Sequence, residues 1–217
     1  MVIHYAFRAS RQEVLRKNDP SVIPCAMSTL QNNPFFFGYG SLVNRATHAY
    51  PHAARAKLTG WARAWRKTSL RSGAFLTAVQ SPAHEIEGLI AAVPNSDWAA
   101  LDEREFAYHR IPVTQITHDH EAPLDVQVYR TRPDLEIQTS TPHPILLSYL
   151  DVVVQGYLRE FGTEGAMRFF ATTSGWDCPI LDDRNAPLYP RAQTLSKSET
   201  GFVDDRLKEI GAEFLRP

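Results

Sequence analysis

Phe35-Phe36-Phe37-Gly38-Tyr39-Gly40-Ser41-Leu42-Val43-Asn44 is the stretch from which the rest of the chain is read. Three aromatics in succession predict the end of a buried strand. Gly-Tyr-Gly-Ser then predicts a tight turn, because glycine alone enters φ > 0 without a Cβ clash. A turn of small residues with free backbone N–H groups has the makings of a cradle for an anion or a carboxylate. The same residues also suit an ordinary two-glycine turn. The residue that bears on the choice is Glu105, about sixty residues downstream.

Outward from the stretch, short apolar segments are cut by Gly and Pro. Residues 58–69 predict an extended segment with Trp61 and Trp65 on one face, and residues 74–80 and 86–93 predict two more strands. Residues 110–117 and 124–130 follow, and in the last Leu124, Val126 and Val128 alternate with Asp125, Gln127 and Tyr129. Strands this closely spaced leave no room for a βαβ series. Helices are predicted over 98–106, behind the capping run Pro94-Asn95-Ser96-Asp97, and over 145–161, stopping at Gly162. A short helix from Thr163 to Phe170 and a last one over 203–215, with Leu207, Ile210 and Phe214 inward, complete the set. The expected fold class is α+β, a small mixed or antiparallel β-barrel with flanking helices. It occupies residues 34–217. Residues 1–33 read as an extension, poorly ordered or a start-site artefact with Met27 as the natural start.

Composition excludes several functions. Lys and Arg number 23 against 24 Asp and Glu, so nothing in the net charge points to nucleic acid or an anionic membrane as a partner. No apolar run approaches the roughly eighteen residues that would span a bilayer. Cys25 and Cys178 have neither metal-ligand spacing nor a disulfide framework, which fits a reducing compartment, the cytoplasm. His118-Asp119-His120 puts two imidazoles on one side of a strand, but no third ligand has suitable spacing. Ser41 is not in a Gly-x-Ser-x-Gly elbow, and no Gly-x-x-x-x-Gly-Lys-Ser/Thr loop is present. No metal and no cofactor are expected.

At about 100° per residue, Trp98, Leu101 and Glu105 fall within about 60° of one another on a helix starting at Ser96, while Glu103 and Arg104 project towards solvent. A carboxylate on an inward stripe must be paired, protonated or working. The phase does not single out Glu105, since Asp102 lies only about 40° from Trp98. A helix-end salt bridge to Arg104 or Arg110, or a helix that stops short of residue 105, would account for Glu105 without any function.

Gly38-Tyr39-Gly40-Ser41-Leu42 followed by Leu101-Asp102-Glu103-Arg104-Glu105, with Tyr108 just after, resembles the γ-glutamylcyclotransferase superfamily, including its ChaC-like branch. Gly60-Trp61-Ala62-Arg63-Ala64-Trp65 looks like the Gly-Tyr-x-Arg-x-Phe strand of that superfamily, and the resemblance covers roughly residues 35–131. It implies a small mixed barrel with a cavity at one end, and release of 5-oxoproline from a γ-glutamyl amino acid, peptide or amine. It also implies Glu105 as the acid/base and Tyr39, Gly40, Ser41 and Leu42 as the loop holding the γ-glutamyl group. Tyr108 is placed to hydrogen-bond Glu105 or the ligand, or simply to pack. Phe106-Ala107 replaces the Gly-Gly that often follows the glutamate in the ChaC-like branch, so that branch's preference for glutathione is not implied. The partner expected is a small γ-glutamyl molecule; the same scaffold would also suit a non-catalytic binder or a protein-interaction module. The turn-rich segment 172–191 either closes over the cavity mouth, bringing Trp176, Tyr189 or Arg191 to the leaving group, or is a surface connection held by Asp182 and Asp183 on Arg184. Oligomeric state is not readable.

Overall fold

The computed structural model describes residues 33–215; the expectations about the amino-terminal extension fall on residues 1–32 and lie outside the described residues. Strand β1 (Phe35–Gly38) carries the three phenylalanines, all 0–1% exposed. Successive side chains of a strand point to opposite faces, so sealing all three requires cover on both sides. Phe35 and Phe37 enter the larger core, and Phe36 faces a second cluster with Leu42, Ala91, Val93, Leu101 and Tyr129.

That double cover follows from β1's place in a mixed seven-stranded sheet that curls into half a barrel. Strands β2 (Ala54–Thr68) and β3 (Arg71–Ala92) form a long antiparallel ribbon on one side of β1, with β5 (Ile116–His118) beyond β2. On the other side β6 (Val126–Thr131) runs parallel to β1, and β4 (Tyr108–Val113) closes the edge. The two strands expected over 74–80 and 86–93 are one strand. Thr59 pairs with Glu85 but Trp61 with Gln80, so residues 81–84 bulge opposite the single residue Gly60, whose φ is +84°. Pro82, which has no N–H to give the ladder, is absorbed there. Beyond the bulge Trp61, Arg63 and Trp65 share the buried face.

Helix α1 (Ala99–Arg104) is shorter than expected and lies under the second cluster through Leu101. Helix α2 (Leu147–Thr172) joins the two expected helices across a break at Gly162, φ +68°. Its face of Leu147, Leu150, Val153, Val154 and Tyr157 packs on the main core. Thr173–Ser174 then adds to β2 as β8. Helix α3 (Lys197–Glu209) begins before the expected residue 203 because Ser196 and Glu199 form a reciprocal capping box. It buries Val203 and Leu207, but Ile210 and Phe214 are 38% and 50% exposed, contrary to the expected inward stripe. Phe214 belongs to strand β10 (Phe214–Leu215), which with β9 (Ile180–Leu181) and β7 (Ile145–Leu146) makes a small parallel sheet. No helix of the described residues is long and apolar enough to cross a membrane.

Candidate active site

The turn after β1 is built for closeness and not for an unusual φ. Neither Gly38 nor Gly40 has positive φ. A Cβ on Gly38 would stand 2.5 Å from Leu42 Cβ, and one on Gly40 would stand 2.6 Å from Tyr149 Oη. The chain therefore folds back tightly into the single 3₁₀ turn Ser41–Val43. Gly38→Ala is expected to cost about 1–3 kcal/mol, because Leu42's backbone as well as its side chain must shift; a chemical melt checks this.

Three anchors hold the loop. The Tyr39 hydroxyl donates to the Tyr129 carbonyl (2.7 Å), and the Tyr39 carbonyl accepts from the Tyr157 hydroxyl (2.9 Å). Asn44 Nδ2 donates to Val152 O and Gln155 Oε1 on α2. Gly156 lets α2 come so near that a Cβ there would touch the Asn44 amide nitrogen at 2.8 Å. The Ser41 amide faces the Tyr149 hydroxyl, and among the described residues the Gly40 and Leu42 amides meet no backbone acceptor.

The opposite wall comes from α1. The helix ends at Arg104, so Glu105 is its C-cap (φ −100°, ψ 32°) and its direction is not set by helical phase. Asp102, the competing carboxylate, is held in a fork by Arg110 (2.7 and 3.1 Å) and accepts from Tyr129 Oη at 2.5 Å. Burial pushes its carboxyl up, but these hydrogen bonds prevail and hold it below the usual range. Arg104 does not project to solvent as expected: its side chain is 7% exposed and reaches Thr47 O, Ser41 Oγ and Thr47 Oγ1. It thereby clamps the end of α1 to the glycine loop. Trp98 is half-buried and packs against the second cluster with Leu101, as the stripe predicted, under Arg110 and beside Tyr129.

Glu105 and the loop from Gly38 to Leu42 line one hollow of about 310 Å³, with Phe37, Leu76, Tyr108, Tyr129 and Tyr149 as its remaining polar and apolar walls. The Glu105 side chain is 16% exposed, and its Oε1 stands 3.3 Å from Arg104 Nε. Burial raises its pKa, with Arg104 and Arg191 pulling the other way. Burial also raises Tyr39, Tyr108 and Tyr149, so the hydroxyls around the hollow stay protonated. Tyr108 Oη donates to Leu76 O (2.8 Å), and its amide takes the Glu105 carbonyl, so it borders the carboxylate without bonding to it.

A second hollow of about 600 Å³ adjoins the first through Ser41, Glu105, Tyr108 and Tyr149. Segment 172–191 supplies two of its residues. Tyr189, whose hydroxyl donates to Ser41 Oγ (2.8 Å), and Arg191 line it. Trp176 instead stacks on Phe170 in the core. Arg184 forks onto Asp151 and meets Asp204, and Asp183 accepts from the Ser148 amide and hydroxyl. Nothing in the sequence marks Arg104 or Tyr149 as a site residue, whereas Tyr189 and Arg191 lie in the segment that reads as either a lid or a surface connection. Among the described residues no three of His, Cys, Asp and Glu cluster as a metal site.

The family model described as gamma-glutamyl cyclotransferase, AIG2-like, matches residues 36–148, just over half of the chain. A solved gamma-glutamyl cyclotransferase is 17% identical with a TM-score of 0.51, over 80% of this chain and 99% of its own. An uncharacterized protein from Homo sapiens is 18% identical with a TM-score of 0.52 over the same shares, 80% and 99%. YkqA from Bacillus subtilis is 17% identical with a TM-score of 0.52; the match covers 69% of this chain and only 58% of YkqA. No curated protein matches in sequence. At such identities the solved structures speak for the α+β half-barrel, while the family model reads the residues that build the loop and α1. The chain belongs to the gamma-glutamyl cyclotransferase, AIG2-like family.

Proposed function

We propose that the protein releases 5-oxoproline from a γ-glutamyl compound, with Glu105 as the general acid and base and the loop Tyr39-Gly40-Ser41-Leu42 as the seat of the γ-glutamyl group. The observation that carries this reading is the shared hollow: a largely buried carboxylate and the loop from Gly38 to Leu42, whose Gly40 and Leu42 amides meet no backbone acceptor among the described residues, line the same small space.

The nucleophile is the substrate's own α-amino nitrogen, so the protein's main task is to hold the chain bent in a near-attack geometry. The α-ammonium gives one proton to the Glu105 carboxylate and the freed amine attacks the γ-carbonyl. A C–N bond forms, and negative charge grows on the carbonyl oxygen, where the Gly40 and Leu42 amides are available as donors. As the ring nitrogen becomes an amide it sheds a second proton, the old C–N bond breaks, and the departing nitrogen takes up both to leave as an ammonium. Glu105 relays these protons and ends as it began. The protonated tyrosines supply hydrogen bonds and no competing base.

Incubation with a panel of γ-glutamyl compounds, with 5-oxoproline read by mass spectrometry, tests the proposal. Saturable binding with no product would make the protein a binder on this scaffold.

A pH dependence follows. The working form is the carboxylate, and burial raises its pKa, so kcat/KM should climb with pH through a limb lying above the ordinary glutamate range. Arg191→Met removes a cation that favours the carboxylate, so the limb should move higher; a pH–rate profile of both proteins checks the sign. Stability runs the opposite way. A raised folded-state pKa stabilises the protein below the unfolded pKa, and that contribution is lost as pH rises through the folded value.

A further inference from the structure

The second hollow carries a charge imbalance that ring closure itself does not require. Arg71, Arg104 and Arg191 line it, and Glu105 is the only acid among its lining residues. Glu105 is already paired with Arg104. Arg71 lies over the Phe75 ring at 3.9 Å, and among the described residues neither Arg71 nor Arg191 has a carboxylate within 4.0 Å. Several guanidinium groups elsewhere find acids: Arg45 holds Glu160, Arg110 holds Asp102, Arg168 holds Glu87 and Arg184 holds Asp151. Two guanidiniums with no carboxylate in salt-bridge contact line one hollow, with the carboxylate that would protonate a departing nitrogen in the same wall, and form a receptor for anions. Beside them Phe75 lines the hollow and Phe106, 63% exposed, forms part of its rim.

We propose that this hollow receives the leaving amine, and that it selects amines carrying carboxylates of their own while turning away those that keep a second ammonium. The best match is an amino acid with an acidic side chain, one carboxylate for each free guanidinium. This rests on the ring-closing reading of the site. Planar guanidiniums grip carboxylates in a two-point fork, whereas a second ammonium would be brought into a field of net positive sign with no free acid to meet it.

The test compares kcat/KM for four substrates: γ-glutamylglutamate, γ-glutamylalanine, γ-glutamylethylamide and γ-glutamylputrescine. The expected order is the order written, with at least about tenfold between first and last. The double variant Arg71→Met/Arg191→Met should compress the four to within roughly threefold, and Lys at both positions should restore only part of the spread, because the charge returns without the planar fork. Raising the salt to about 0.5 M should also narrow it. Equal turnover of all four, a preference for the putrescine compound, or an order that survives the double Met substitution would overturn the proposal while leaving ring closure standing. No 5-oxoproline from any of the four would instead overturn the ring-closing reading, and this proposal with it.

Discussion

Glu105→Gln is expected to leave the fold intact and to lower 5-oxoproline release by about 10²–10⁴-fold, the range over which a positioned acid or base acts. Glutamine keeps the shape of the side chain and an oxygen to accept from Arg104 Nε, now 3.3 Å from the carboxylate. It cannot take the proton from the α-ammonium. The fold should hardly notice, because losing an ion pair is partly offset by no longer burying a charge; thermal denaturation should place the change within about 1 kcal/mol. Glu105→Asp offers a second reading of the same position. It keeps the carboxylate but draws it back by one methylene, and a displacement of about 1 Å can cost roughly 10²-fold. Full turnover in Glu105→Gln would remove the residue from the mechanism, whatever the hollow looks like.

Helical phase puts Glu105 on an inward stripe with Trp98, yet the helix stops at Arg104 and Trp98 lines neither hollow. Glu105 is turned inward because Leu101, fully buried beneath Phe36 and Tyr129, fixes the helix, and because Arg104 ties its end to Ser41 and Thr47. Neither cause is periodic in the sequence. The motif placed the residue; the periodicity did not.

The half-barrel was legible for a physical reason. A run such as Phe35-Phe36-Phe37 has no stable place except between covered faces, and the alternation around Val126 and Val128 marks a strand with one face on the main core, although Tyr129 on its other face is buried too. The joining of 71–92 into one strand was hidden, because a proline and four polar or small neighbours look like a break until a bulge absorbs them. The C-terminal third was least legible. Capping by Ser196 and Glu199 decides where α3 starts, and the pairing of Phe214 with Ile180 spans distant residues. Tyr149 reaches the site from the outer turn of an otherwise core-facing helix, and Tyr189 and Arg191 from an irregular segment, where no spacing rule applies.

Arg63→Ala is expected to be the most destabilising of the substitutions considered, by about 3–5 kcal/mol, and Arg63→Met to cost much less, about 1–2 kcal/mol. Arg63 is 2% exposed inside the sheet, and among the described residues no carboxylate stands within 4.0 Å of it. Its charge is held by dipoles and rings. The guanidinium donates to Glu87 O (3.0 Å), Tyr157 Oη (2.8 Å), Thr172 Oγ1 (2.7 Å) and Thr173 Oγ1 (3.2 Å). The faces of Tyr157 and Phe169 lie 5.2 and 5.1 Å from its centre. Alanine would leave a hole the length of the side chain and take a donor from every one of these oxygens. Methionine would fill most of that hole and carry no charge to desolvate, the situation in which a buried ion is replaced at small cost. Tyr157 would still donate its proton to Tyr39 O or to Glu87 O. Without Arg63 supplying Glu87 O, however, that single proton is contested, and the glycine loop loses part of its anchor. Turnover of Arg63→Met should therefore fall by roughly tenfold although the protein stays folded. Urea denaturation of the two variants decides the energetics. If methionine proves as damaging as alanine, the hydrogen bonds of the cation, and not the volume it fills, hold this part of the sheet together.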